Sequence, residues 1–133
     1  MNPPSLAPHA LPQAPGPADA ADTLRIGVFD SGLGGLSVLR ELRAALPHAA
    51  LTYVADSGHA PYGERQDAFV IERSARIARH LVEDHGVQLL VVACNTATAA
   101  AVHELRAMWP ARPIVGVEPG LKPAVEASRR GIV

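Results

Sequence analysis

Four short stretches place proton-handling or hydrogen-bonding groups directly after apolar runs: Asp30-Ser31-Gly32, Asp56-Ser57-Gly58, Cys94-Asn95-Thr96 and Glu118-Pro119-Gly120. Cys94 is the one cysteine of the sequence. A lone thiol closing an apolar run is usually a small core hydrophobe. Here Asn95 and Thr96 follow at once, and a helix begins near Thr96. Backbone N–H groups and the dipole at such a helix start favour a thiolate. From position alone the reactive and structural readings of Cys94 stand level. The neighbours tilt the balance, because Asn95, Thr96 and the helix N-terminus can hold a carboxylate. Asp30, at an adjacent tip, offers the thiol a base or an orienting partner.

Other chemistries fit these residues less well. The "GLGG" turn has part of a dinucleotide fingerprint, but Ser37 stands where the third glycine belongs. Asp30 would also set a carboxylate against a pyrophosphate. The histidines His9, His48, His59, His80, His85 and His103 are dispersed with no i,i+4 pair, and His59 reads as a surface residue beside the site. One cysteine builds neither a thiolate zinc centre nor an internal disulfide. No metal site is expected. Nor does any serine sit in a G-x-S-x-G elbow.

The elements that must position these tips alternate regularly. Strands are expected over 24–30, 50–56, 88–93 and 113–117, each a β-branched or apolar run bounded by turn residues. The run at 88–93 is apolar throughout, which implies burial on both faces. Leu36, Leu39, Leu42 and Leu46 stand at helical spacing before Pro47. A long amphipathic helix is expected over 64–86, closing on Gly86, and another over 96–109, halted by Pro110. On the first of these, Arg65, Arg73, Arg76 and Arg79 read as a solvated face, with Glu72 supporting Arg76 at i,i+4. Segment 57–63 is a loop by its Gly and Pro content. A helix over 120–130 and the opening of a fifth strand at 131–133 complete the pattern.

This repetition predicts an α/β fold, a three-layer parallel sheet with right-handed crossovers. In such sheets ligands bind beyond the carboxyl ends of the strands, so all four tips should converge on one edge. Residues 1–23 form a Pro/Ala-rich stretch without apolar periodicity, read as a disordered tail, and 24–133 as the folded domain. The formal net charge is −1, which gives no electrostatic case for nucleic acid or an anionic membrane surface. No apolar run is long enough to span a bilayer, and a cytoplasmic protein is expected. The fifth strand has neither length nor a partner helix, so either another chain completes the domain or, the favoured reading, the sequence is a fragment of a longer protein.

The blocks "GVFDSGLGGLSV", "YVADSGHAPYG", "VVACNTATA" and "PIVGVEPGLKPA" follow one another from about Ile26 onward. Together they resemble the N-terminal half of a glutamate racemase, in the cofactor-independent aspartate/glutamate racemase superfamily. The resemblance implies the first of two pseudo-symmetric α/β domains, with glutamate in the cleft between them and the second domain missing. It implies interconversion of L- and D-glutamate by two-base proton transfer, supplying D-glutamate for peptidoglycan, without pyridoxal phosphate or metal. Cys94 would be the catalytic cysteine of this half. Asp30 and Ser31, Tyr62 and Gly63, and Asn95 and Thr96 match the substrate-contacting pairs. The family's second cysteine lies in a "CTH" motif that this sequence lacks, which implies an incomplete, inactive fragment. A homo-oligomer is compatible with the pattern. Two alternatives stay open: a single-cysteine relative, such as a decarboxylase that protonates one face, and a non-catalytic small-ligand binding domain.

Overall fold

The computed structural model describes residues 22–118. The expected tail up to residue 21, and the helix and fifth strand expected after Glu118, lie outside the described residues. Within them, strands β1 (Arg25–Asp30), β2 (Ala50–Ala55), β3 (Leu89–Val92) and β4 (Ile114–Gly116) form one parallel sheet in the order β2-β1-β3-β4. The register sets Ile26 beside Leu51 on one side and beside Leu89 on the other. Leu90 pairs with Ile114.

The alternation of side chains across the strands separates the core into two clusters. Ile26, Val28 and Val91 face one side, where helix α1 (Leu36–Ala45) covers them with Val38, Leu39 and Leu42. Phe29, Leu90 and Val92 face the other, against α2 (Asp67–Arg79) and α3 (Asn95–Met108) through Val70, Ile77, Ala97 and Leu105. The expected three-layer arrangement is therefore present, with the central strands β1 and β3 buried between the helices. Of the leucines expected to form the stripe of α1, Leu36 and Leu46 lie at its ends and remain 45% and 39% exposed. Among the described residues no helix is long and apolar enough to cross a membrane.

Two departures concern the segment 64–86. Its first residue, Glu64, closes a 3-10 turn, Tyr62–Glu64, and α2 begins only at Asp67, whose carboxylate suits a helix start. After Arg79 the helix widens into a π turn, His80–Asp84. Gly86, at φ 57°, turns the chain into β3 in a left-handed conformation that suits glycine. The expected support of Arg76 by Glu72 is replaced by contacts one turn further on, the Arg79–Glu83 ion pair at 3.8 Å and the hydrogen bond between His80 Nδ1 and Asp84 Oδ2 at 2.6 Å.

The connection after β1 passes over one face to β2, and the connection after β2 returns over the other face to β3. β1 is thus flanked by strands reached in opposite directions. A crevice opens where strand order reverses in this way, at the carboxyl ends of β1 and β3.

Candidate active site

The β1 tip is built around Asp30, which is 6% exposed. Its Oδ1 accepts the N–H of Ser31 and its Oδ2 the N–H of Gly35, each at 2.8 Å. The carboxylate therefore pins the ends of the glycine-rich loop that carries the chain into α1. Close packing explains Gly35: a Cβ there would lie 2.8 Å from Asp30 Cβ and 3.0 Å from Ala93 Cβ. From β2, the Tyr53 hydroxyl donates to Gly32 O at 3.1 Å. Burial, then the neighbouring Asp30 charge, raises the Tyr53 phenol above its ordinary value.

At the β3 tip, Cys94 is 6% exposed and occupies the N-cap position of α3. Its backbone is extended, as an N-cap residue requires, and Sγ accepts the Ala97 N–H at 3.5 Å. The thiol donates to Ser31 Oγ at 3.4 Å. One sulfur atom thus joins the β1 loop to the start of α3. Thr98 closes the same corner by donating its hydroxyl to Val92 O at 3.2 Å.

These tips open into a cavity of about 500 Å³ lined by Asp30, Gly34, Ser37, Cys94, Asn95, Thr96 and Glu118. Asn95 is exposed and Thr96 half-buried at its wall. In the sequence Ser37 stands out only as a departure from the dinucleotide fingerprint, not as a site residue. It sits in the first turn of α1, brought over the β1 tip by the Gly34-Gly35 turn. Asp30 shares the cavity with Cys94, but both its oxygens are held by loop N–H groups. The side chain that meets the thiol is Ser31.

Convergence holds for three of the four strand tips, and the β2 tip departs from it. Asp56 is 8% exposed and absorbed into a cluster of its own. Arg73 grips it with two hydrogen bonds, Nε to Oδ2 at 3.0 Å and Nη2 to Oδ1 at 2.7 Å. The Tyr62 hydroxyl donates to Oδ2 at 2.6 Å, and His59 Nδ1 meets Oδ1 at 3.0 Å. Burial alone would raise the Asp56 carboxyl. The hydrogen bonds from Arg73, Tyr62 and His59, with the Arg73 charge, outweigh it and hold the group at about 2. Burial, and then the hydrogen bond to Asp56, pushes the Tyr62 phenol up.

Three expectations change accordingly. Arg73 is not part of a solvated face, its side chain being 17% exposed. It lies three residues from Val70 and four from Ile77, both buried, so its place on the apolar stripe of α2 was the available signal. His59 is half-buried against Asp56 rather than a free surface group. Tyr62 is 1% exposed and directs its hydroxyl to Asp56 rather than to the cavity, whereas Gly63 lies beside Thr96: a Cβ on it would be 3.9 Å from Thr96 Oγ1.

No protein-family model matches the chain. It is 58% identical over 108 residues to the glutamate racemase of Ectopseudomonas mendocina (strain ymp), covering 81% of this chain and 41% of that protein. It is 54% identical over 114 residues to the glutamate racemase of Pseudomonas aeruginosa (strain PAO1), covering 86% and 43%. Among solved structures, Escherichia coli glutamate racemase in complex with L-glutamate and the activator UDP-MurNAc-ala superposes with a TM-score of 0.74 at 41% identity, over 81% of this chain and 40% of that one. The Francisella tularensis glutamate racemase in complex with D-glutamate gives 0.68 at 32% identity, over 79% and 38%. The chain thus spans about two-fifths of the length of the relatives it matches.

Proposed function

We propose that this chain, homologous to glutamate racemases over 81% of its length, supplies one acid/base face of a site that interconverts L- and D-glutamate. The observation that carries the proposal is the placing of the Cys94 sulfur at the N-terminus of α3, at the wall of one cavity with Asp30, Asn95 and Thr96. Inverting the α-carbon requires a proton to leave one face and another to arrive on the opposite face. As thiolate, Cys94 takes the α-proton from its own face; as thiol, it returns one there. The Ala97 N–H and the start of α3 favour negative charge on the sulfur. Ser31 Oγ accepts the hydrogen bond of the protonated form.

Asn95, Thr96 and the helix start receive the substrate carboxylate, which takes on more negative charge as the carbanion forms. Asp30 holds the loop in place and faces the substrate ammonium. Gly63 supplies a close backbone wall next to Thr96, with Tyr62 anchoring its turn from behind. The opposite face needs a second group, and Cys94 is the one cysteine of the sequence. We assign that face to a second, similar domain, making residues 24–133 the first domain of the site. In this reading the product D-glutamate feeds peptidoglycan synthesis in the cytoplasm.

The test is a graft. The matched segment of the Ectopseudomonas mendocina relative is replaced by the corresponding residues of this chain, and racemisation is followed from both enantiomers by circular dichroism. Turnover in both directions, abolished by Cys94→Ala, is the expected result. A folded graft whose Cys94→Ala form racemises as fast as its parent would sink the assignment.

A further inference from the structure

The π turn that follows α2 creates a histidine pair that spacing in the sequence did not reveal. In an α-helix, with about 3.6 residues per turn, residues five apart stand on different faces. The i→i+5 period of a π turn brings them over one another. His80 and His85 accordingly meet with their Nε2 atoms 3.2 Å apart, ring centroids at 4.8 Å and ring planes at 85°. The other nitrogen of His80, Nδ1, lies 2.6 Å from Asp84 Oδ2. With Nδ1–H given to that carboxylate, His80 Nε2 carries a lone pair that accepts the hydrogen bond of His85 Nε2–H, the bond a metal ion would replace. A carboxylate behind an imidazole is the arrangement that orients metal-binding histidines.

The backbone of the pair is held on both sides. Leu81 and Val87 are 0% and 1% exposed in the core, and Val87 N–H bonds to Leu81 O at 3.2 Å. Arg25 Nε donates to Gly86 O at 2.8 Å. The imidazoles therefore project from a fixed turn into solvent, the His80 side chain being 51% exposed. This turn precedes β3, so it lies at the amino ends of the strands, across the sheet from Cys94.

We propose that His80 and His85 form a two-imidazole chelate for a divalent ion of the zinc, nickel and copper class, with Asp84 orienting His80. Two nitrogens in adjacent positions on Zn2+, each about 2.0–2.1 Å from the metal, stand about 3.0–3.4 Å apart, a range that includes the observed separation. Imidazole donors select this class over Mg2+ or Ca2+. Among the described residues no group of three or more His, Cys, Asp and Glu side chains is placed to hold a metal, so the protein supplies two ligands and water the rest. Binding forms two metal–nitrogen bonds in place of two metal–water bonds. The His85 ring proton moves from Nε2 to Nδ1 through solvent, with no redox change. The ion then ties the end of α2 to the turn that enters β3, and it stabilises the fold by linkage.

The test uses the full chain and Ni2+ or Zn2+ alone, with the imidazole proton signals of its histidines as the readout. One equivalent of Ni2+ is expected to broaden the His80 and His85 signals ahead of the other four. His80→Ala, His85→Ala and the double variant are expected to lose Zn2+ affinity to a similar extent, at least tenfold, because a chelate fails when either arm is removed. Asp84→Asn is expected to weaken binding about tenfold through its hold on His80. All three residues changed are exposed, and the metal-free melting temperature serves as the control for folding. Three results each overturn the proposal: single variants within twofold of the parent, first broadening at other histidines, or an equal response to Mg2+.

Discussion

Replacing Cys94 by Ser or by Ala separates what its side chain does for the helix from what it does for a proton. Ala removes the acceptor of the Ala97 N–H and should cost about 1 kcal/mol in chemical denaturation. Ser is among the best N-cap residues, so Cys94→Ser should fold at least as stably as the parent while losing thiol acid–base chemistry in the grafted enzyme. A Ser variant that racemised at the parent rate would remove the sulfur from the mechanism. Asp56 provides a second prediction. Its carboxyl is held at about 2 against the ordinary 3.8. Because the folded value is the lower one, its contribution of about 2 kcal/mol is fully present above about pH 4 and is lost as the pH falls through 2. Arg73→Met leaves that buried carboxylate without its cation and should cost about 3 kcal/mol in urea at pH 7. Arg76→Met, on the exposed face, should stay within about 0.5 kcal/mol. The shared cavity of Asp30, Cys94, Asn95 and Thr96 was legible because each stands at, or just beyond, the carboxyl end of a strand. The partnership of Asp56 and Arg73 was not, since it joins a strand tip to the middle of a helix 17 residues away.

Elements were readable where composition and period agreed. β1, β2 and β3 are β-branched, aromatic or leucine runs that fall within one or two residues of their expected bounds, and α3 starts at its own N-cap cysteine. The boundaries that shifted lie where the period changes without a change in composition. Residues 64–66 continue the polar character of α2 yet precede its first turn. His80–Asp84 keeps a helical appearance while its hydrogen bonds lengthen to the π pattern. That change of period explains why His80 and His85, five apart, read as unrelated in the sequence. The turn between β1 and α1 carries its own prediction. Gly35→Ala would press a methyl group against Asp30 and Ala93, with Tyr53 Oη also within 3.2 Å. Destabilisation by about 1–3 kcal/mol is expected, read as a lowered melting temperature. An unchanged melting temperature would mean that the loop moves aside and that Asp30 does not fix it.

For the whole molecule, the proposed chemistry requires two faces and the sequence carries one thiol. A polypeptide of these 133 residues is therefore expected to leave the optical rotation of L- and D-glutamate unchanged over hours. Turnover that depended on Cys94 alone would show that the opposite face is served from within this chain. The parallel sheet and its layers followed from the βα repetition. The strand order did not follow from it: that order depends on which side of β1 each returning connection takes, a choice made by three-dimensional packing. The order also has a kinetic side. β1 lies inside the sheet, but its contact with the segment leading into β3 joins residues 63 apart, as in the bond from Arg25 N to Gln88. At about 5–20 residues per second, a ribosome adds that stretch in roughly 3–13 seconds. In the later part of that interval, once Ala55 has been added, β1 and β2 can already pair, leaving the far edge of β1 open with Ile26, Val28 and Phe29 beside it. Of the two interior strands among the described residues, the one that carries Asp30 to the site thus waits longer for its second neighbour during synthesis.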